Sequence, residues 1–198
     1  MVRSDLASSG VMFTIDPDSG HRGVIHIASS YGLGELIVQG TVSPDTFTVW
    51  KEGMNRGRFA IVNRHLGTKD HRMVYSEDST SNVLTQDVPL EERRGWSLSN
   101  LECRELAEMA MRIEGHYVQP MDIEWAKDGI TGELFIVQAR PETVHGKTEN
   151  SVLERYVMDQ SLIRKLKRDG DVLATGQAVG KRIGSGNIRI YRDYAEVI

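Results

Sequence analysis

Cysteine is almost missing from this 198-residue chain: Cys103 stands alone, so no intramolecular disulfide can form and thiolate-rich zinc sites are excluded. Long apolar runs are missing as well. The longest, Gly23 to Ala28 and Leu33 to Val38, fall well short of the roughly 20 residues a membrane-spanning helix needs. Positive charge is in deficit, with 24 Lys and Arg against 28 Asp and Glu for a net charge of −4. That balance argues against a nucleic-acid partner held through a basic face, because phosphate contacts need clustered Lys and Arg. Met1 to Ser9 carries Arg3 and Asp5 and no apolar stretch of the kind a secretory signal requires. The absences together lead us to expect a soluble, cytoplasmic protein without membrane or nucleic-acid partners.

What is present suits one good core with a small appendage: 39% hydrophobic and 26% charged residues are ordinary for a globular domain of this length. Val11 to Ile15 and Gly23 to Ala28 read as strands about the Asp16-Pro17-Asp18-Ser19-Gly20 turn. A glycine loop, Tyr31-Gly32-Leu33-Gly34-Glu35, follows, then a strand through Thr46 to Trp50, and two more over Arg58 to Asn63 and His71 to Tyr75. Ser99-Asn100-Leu101-Glu102 fits a capping box, and Cys103, Leu106, Ala107, Ala110 and Ile113 recur at helical spacing until Gly115, which is expected to end the helix. Met121 to Ala126 and Glu133 to Arg140 form a further hairpin across the Lys127 to Gly132 turn. The fold class is therefore α+β, with a mostly antiparallel sheet and packed helices. Past Pro141 the chain turns polar, a charged helical segment follows through Leu153, Tyr156, Leu162 and Leu166, and Leu173 to Ile190 resembles the opening of another β unit. We divide it as 1–145, a linker and helix over 146–170, and an incomplete domain over 171–198.

The last complete hairpin carries the chemistry. Asp122 and Glu124 are two apart, so in a strand both carboxylates leave from one face. Gln138 and Arg140 do the same on the return strand, with Phe135, Val137 and Ala139 expected on the apolar face. If Glu124 pairs with Gln138, Asp122 faces Arg140 and four polar groups share one patch. Two acids, an amide oxygen and an arginine are what a magnesium-bound polyphosphate needs: hard oxygens for the cation and a forked cation for the phosphoryl oxygens. Spacing alone also admits a plain solvated strand face with one ion pair on it.

Other residues are weighed beside this patch. None of the six histidines has zinc-ligand spacing, and each reads as a surface or turn residue. Gly32 and Gly34 read as a structural turn more readily than as a phosphate cradle, since Glu35 beside them carries the wrong charge for a bare anion site. Lys69 is a candidate phosphate contact against the ordinary reading of a solvated lysine. Cys103, on the helix stripe, reads as a small buried hydrophobe. Arg164, Lys165, Lys167 and Arg168 suit a solvated helix C-terminus.

Several segments carry a resemblance: Met1 to Phe13 (MVRSDLASSGVMF), Gly32-Leu33-Gly34-Glu35 with Val38-Gln39-Gly40, Pro120 to Ala126 (PMDIEWA) and Ile136 to Thr143 (IVQARPET). Together they resemble the phosphoenolpyruvate synthase family and, more loosely, pyruvate phosphate dikinase and the rifampicin phosphotransferases. The resemblance implies the second subdomain of an ATP-grasp domain, then the start of a swivelling phosphohistidine domain. It implies ATP and Mg2+ as cofactors, Glu124 and Gln138 as metal ligands, and Asp122, Glu124, Gln138, Arg140 and Glu35 around the nucleotide, with Arg140 as the catalytic clamp. The parent reaction makes phosphoenolpyruvate, AMP and phosphate from pyruvate, ATP and water. The family's upstream lysine and arginine and its Gly-Gly-x-Thr-x-His stretch do not occur among these residues. The expectation is an internal, by itself inactive, piece of a larger enzyme whose remaining domains are its partners. An alternative is a non-catalytic interaction module, for which open sheet edges would allow a homo-oligomer; another is a piece of a related dikinase-type transferase with a different acceptor.

Overall fold

The computed structural model describes residues 1–58, 60–76, 82–143, 159–172 and 187. The chain divides into two compact units, Met1–Leu153 and Glu154–Ile198. In the first, eight strands are formed: β1 (Ser8–Phe13), β2 (Val24–Tyr31), β3 (Asp45–Trp50), β4 (Ile61–His65), β5 (His71–Tyr75), β6 (Val83–Asp87), β7 (Met121–Lys127) and β8 (Leu134–Pro141). Six of them make one antiparallel sheet in the order β4-β3-β2-β1-β7-β8, while β5 and β6 pair separately. The expected strand over Arg58 to Asn63 thus begins later, at Ile61, and the strand expected over His71 to Tyr75, β5, belongs to the other sheet. No run of alternating residues marks β6 in advance; its pairing with β5 creates it.

One face of the large sheet is covered by α4 (Asn100–Tyr117). Ser99 closes a full capping box with Glu102, each side chain meeting the other's backbone N–H, which satisfies donors a helix start otherwise leaves bare. Cys103, Leu106, Ala107 and Ala110 are buried against Met12, Ile25, Ile27, Phe47, Val49, Ile123 and Trp125, the stripe and sheet face that the apolar spacing requires. Burial pushes the Cys103 thiol up to about 12, so it packs as a hydrophobe. The helix passes through Gly115 and ends two residues later, where Val118 takes the left-handed conformation (φ 56°). A helical glycine costs only about 1 kcal/mol, and the stop is set by the approach to Pro120.

Two glycines admit neighbours that a Cβ would displace. At Gly10 a Cβ would lie 1.9 Å from the Ala28 carbonyl oxygen and 2.9 Å from Cζ2 of Trp125, so that indole lies across β1. At Gly32 (φ +82°) it would lie 2.4 Å from the Met73 carbonyl oxygen. Gly32 is a structural turn, as expected from the sequence. Around it α1 (Glu35–Val38) and the β5–β6 pair enclose a small second core of Leu36, Val42 and Met73. Two short helices, α2 (Lys51–Asn55) and α3 (Leu90–Arg93), complete the unit. The second unit contains α5 (Gln160–Asp169), capped by Asp159 accepting from Ser161 N at 2.8 Å and closed by Gly170 at φ 77°. Lys167 and Arg168 fall in its last turn as the basic run suggests. The division near 145 and the β unit expected over Leu173 to Ile190 lie outside the described residues.

Candidate nucleotide-binding face

Register carries the four hairpin residues to one place. Asp122 pairs with Arg140 and Glu124 with Gln138, the arrangement that the two-residue spacing allows. Arg140 Nε donates to Asp122 Oδ2 at 2.8 Å, and Nη2 reaches the same oxygen at 2.8 Å. Asp122 is largely buried, with its side chain 14% exposed, while Arg140 stands 63% exposed: one partner is fixed in the sheet and the other is presented to the outside. The hydrogen bond to Asp122, then its charge, raises the Arg140 pKa further above its ordinary value, and Glu124 acts in the same direction.

The hairpin is not the simple alternation expected. A bulge between Glu124 and Trp125 shifts the register, so Trp125 faces Ile136 and Ala126 faces Phe135. Leu134 is buried and Ile136 packs on the α4 core, whereas Val137 is 61% exposed and Phe135 39% exposed. Of the three residues assigned to the apolar face, Ala139 alone packs on that core. The extra residue of a bulge reverses the faces beyond it, which is how Gln138 and Arg140 share a face with Asp122 while Ile136 serves the core.

The pairing continues the polar patch across the sheet. Asp122 faces Phe13, which faces His26, then Thr48 and Asn63; Glu124 faces Val11, then Ala28, Thr46 and His65. Directly paired residues point to the same side, so this is the sheet face turned away from α4. Glu35 is at its other end. Gly34 stands over Ser9, where a Cβ would be 3.4 Å from Oγ, and Ser9 Oγ donates to the Gly32 carbonyl at 2.6 Å. Ser9 is two strand residues from Val11, the partner of Glu124, and four from Phe13, the partner of Asp122, roughly 7 and 13 Å, so Glu35 lies on the side of the Glu124–Gln138 row and away from the Asp122–Arg140 pair. It is exposed and accepts from Gln39 Nε2 at 2.9 Å.

Lys69 is neither a phosphate contact nor solvated. It is fully buried, its Nζ 2.5 Å from Asp45 Oδ1 and 3.2 Å from the Gly67 carbonyl oxygen. Asp45 also accepts from Gly67 N at 2.9 Å, Ser97 N at 2.8 Å and Ser97 Oγ at 2.7 Å. Sequence reading missed this hub. The available signal was Asp45 opening an apolar strand, since a buried carboxylate demands donors.

The quartet has the donor chemistry of a magnesium–phosphate site. Mg2+ is usually held by one or two carboxylates with substrate phosphates and water completing the shell, and Glu124, Asp122 and the Gln138 amide supply hard oxygens beside a forked cation. Among the described residues no cluster of three or more His, Cys, Asp or Glu forms a self-sufficient metal cage. No described helix is long and apolar enough to cross a membrane.

Comparison with known proteins supplies the family. Residues 1–160 match the pyruvate phosphate dikinase, AMP/ATP-binding domain model. The chain is similar to the phosphoenolpyruvate synthases of Escherichia coli (51% identical over 199 residues), Pseudomonas aeruginosa (47% over 199) and Neisseria meningitidis (43% over 200), each alignment covering 100% of this chain. It spans about a quarter of the length of these relatives, 24% of each. On the extent of that match, the chain belongs to the pyruvate phosphate dikinase AMP/ATP-binding domain family.

Proposed function

We propose that this chain is the second ATP-grasp subdomain of a phosphoenolpyruvate synthase, covering residues 1–145, followed by a linker helix and the start of a phosphohistidine domain from about residue 171. The parent enzyme would convert pyruvate, ATP and water to phosphoenolpyruvate, AMP and phosphate, with the acceptor and the phosphohistidine outside this piece. The observation that carries the reading is the cross-strand quartet: Asp122 with Arg140, and Glu124 with Gln138, on the open face of the sheet.

In this reading Asp122 holds the guanidinium in place by the paired contacts to Oδ2, and the exposed fork of Arg140 meets the transferring phosphoryl oxygens. Glu124 and Gln138 hold Mg2+ through a carboxylate and an amide oxygen. Held by those residues, the cation would supply neutralisation of the polyphosphate charge. The protein's work is positioning and charge neutralisation at preformed groups. Glu35, at the other end of the face, supports the ribose or the outer magnesium shell. The chain alone should not turn over.

Titrating Mg-ATP into the purified chain while following backbone amide shifts tests this. The expected result is a saturable response along 122–126 and 136–140 that Arg140→Ala and Glu124→Ala each weaken at least tenfold. A response elsewhere on the molecule, or one that both variants leave intact, would remove the hairpin from the nucleotide site.

A further inference from the structure

The second side of the sheet carries a cleft that the nucleotide face does not use. Ser8 and Ser9 are adjacent on β1 and so project to opposite faces: Ser9 supports the glycine loop on the open face, and Ser8 points to the α4 side. There a polar cleft of about 510 Å³ is bounded by Ser8, Tyr31, Arg72, Glu92, Lys127 and the Asp128–Gly132 turn.

Two of these residues have hydrogen-bonding capacity that the protein leaves unmet. Ser8 is 2% exposed, and among the described residues its Oγ has no partner. Arg72 is held by its Nη1 donating to Glu92 Oε2 at 2.9 Å, with Tyr31 Oη donating to the Glu92 carbonyl oxygen at 2.9 Å, yet Arg72 Nε is buried without a partner among the described residues. A buried donor left bare forfeits the hydrogen bonds it made to water, and both groups are donors. The carboxylates that border the cleft are already answered. Asp128 accepts from Ile130 N, Thr131 N and Arg3 N at 2.7, 3.0 and 3.1 Å, and Glu92 is paired with Arg72. Lys127 adds a second cation at the wall, paired with Glu102.

We propose that this cleft is a second binding site, for a small oxyanion of the carboxylate or phosphate type, received by the Ser8 hydroxyl and the Arg72 guanidinium. A turn of Ser8 between staggered χ1 wells brings its hydroxyl to the cleft, and the ligand's oxygen supplies the acceptor that both donors lack. The site does not rest on the nucleotide reading, because it lies on the opposite face of the sheet.

The experiment uses the full 198-residue chain carrying Arg140→Ala, which removes the hairpin cation from contention. Thermal unfolding and amide shifts are followed on adding sodium phosphate, sodium malonate or, at matched ionic strength, sodium chloride. Phosphate or malonate should give a saturable rise in Tm with shifts at Tyr31, Arg72 and Gly132, and the tighter of the two assigns the anion class. Ser8→Ala should leave the anion-free Tm unchanged or higher, since it deletes an unpartnered hydroxyl, while weakening anion binding at least tenfold. Arg72→Gln should weaken it at least as much. A response equal to that of chloride, or one that survives Ser8→Ala, overturns the site.

Discussion

Two carboxylate–cation pairs in this molecule have similar lengths and opposite surroundings. Asp45 and Lys69 are both 0% exposed, and Asp45 meets donors from two segments, Gly67 and Lys69 of one loop and Ser97 of another. Asp122 and Arg140 share one carboxylate oxygen on an open face, with the arginine fork 63% exposed. In the first pair the charges are consumed in joining segments; in the second, one charge is held still so that it can act on something else. Similar chemistry serves assembly when it is enclosed and recognition when one partner faces out.

The largest effect should come from breaking the enclosed pair. Asp45→Ala leaves a buried ammonium and bare donors at Gly67 and Ser97, and should cost about 3–5 kcal/mol, visible as a fall in the urea midpoint. Adding Lys69→Met should recover part of that loss. If the single and double variants unfold alike, the pair is not what joins these segments.

Next in size is a test of the bulge beside the exposed pair. Ile136→Ala should cost about 1–2 kcal/mol for a partly buried isoleucine, whereas Val137→Ser should stay within about 0.5 kcal/mol. Equal losses would put Val137 back on the core face and contradict the register.

Acid titration adds a third comparison through Arg3 and Asp5. The Arg3 guanidinium, donating to both Asp5 oxygens at 2.8 Å, holds that carboxyl below its ordinary value. A depressed folded pKa contributes stability that is present above the unfolded value, near 3.9, and is lost as pH falls through the lower folded value. Asp5→Asn should therefore flatten the decline in stability below about pH 4, measured by denaturation at stepped pH, and a decline as steep as the parent's would remove Asp5 as its source.

The smallest effect on stability belongs to Arg140. Arg140→Ala should leave Tm within about 2 °C, as for exposed pairs generally, in contrast to its effect on nucleotide binding. A large fall in Tm would mean that the exposed pair, too, is part of the scaffold.

Much of this contrast was legible from the chain. The two-residue spacing of Asp122, Glu124, Gln138 and Arg140 placed all four on one patch, because strand periodicity and hairpin pairing are local. The Ser99–Glu102 cap and the Cys103 to Ala110 stripe were equally local and equally plain. The extra residue on the return strand, Val137, was not, since a bulge is decided by which of Ile136 and Val137 fills the core. Lys69 read as an ordinary loop lysine because its counter-ion lies 24 residues away. Ser8, an unremarkable strand serine in the sequence, is set apart by burial without a partner among the described residues.

The sequence by itself determined the α+β class, the capped helix and the composition of the hairpin patch, because each depends on periodicity or on contacts within a few residues. The tertiary structure alone decided which ion pair is enclosed, where the bulge reverses the hairpin's faces and how far the polar face extends across β1, β2, β3 and β4. Those outcomes depend on burial, and burial is set by segments that are far apart in the chain and meet only when the sheet and α4 close over one another.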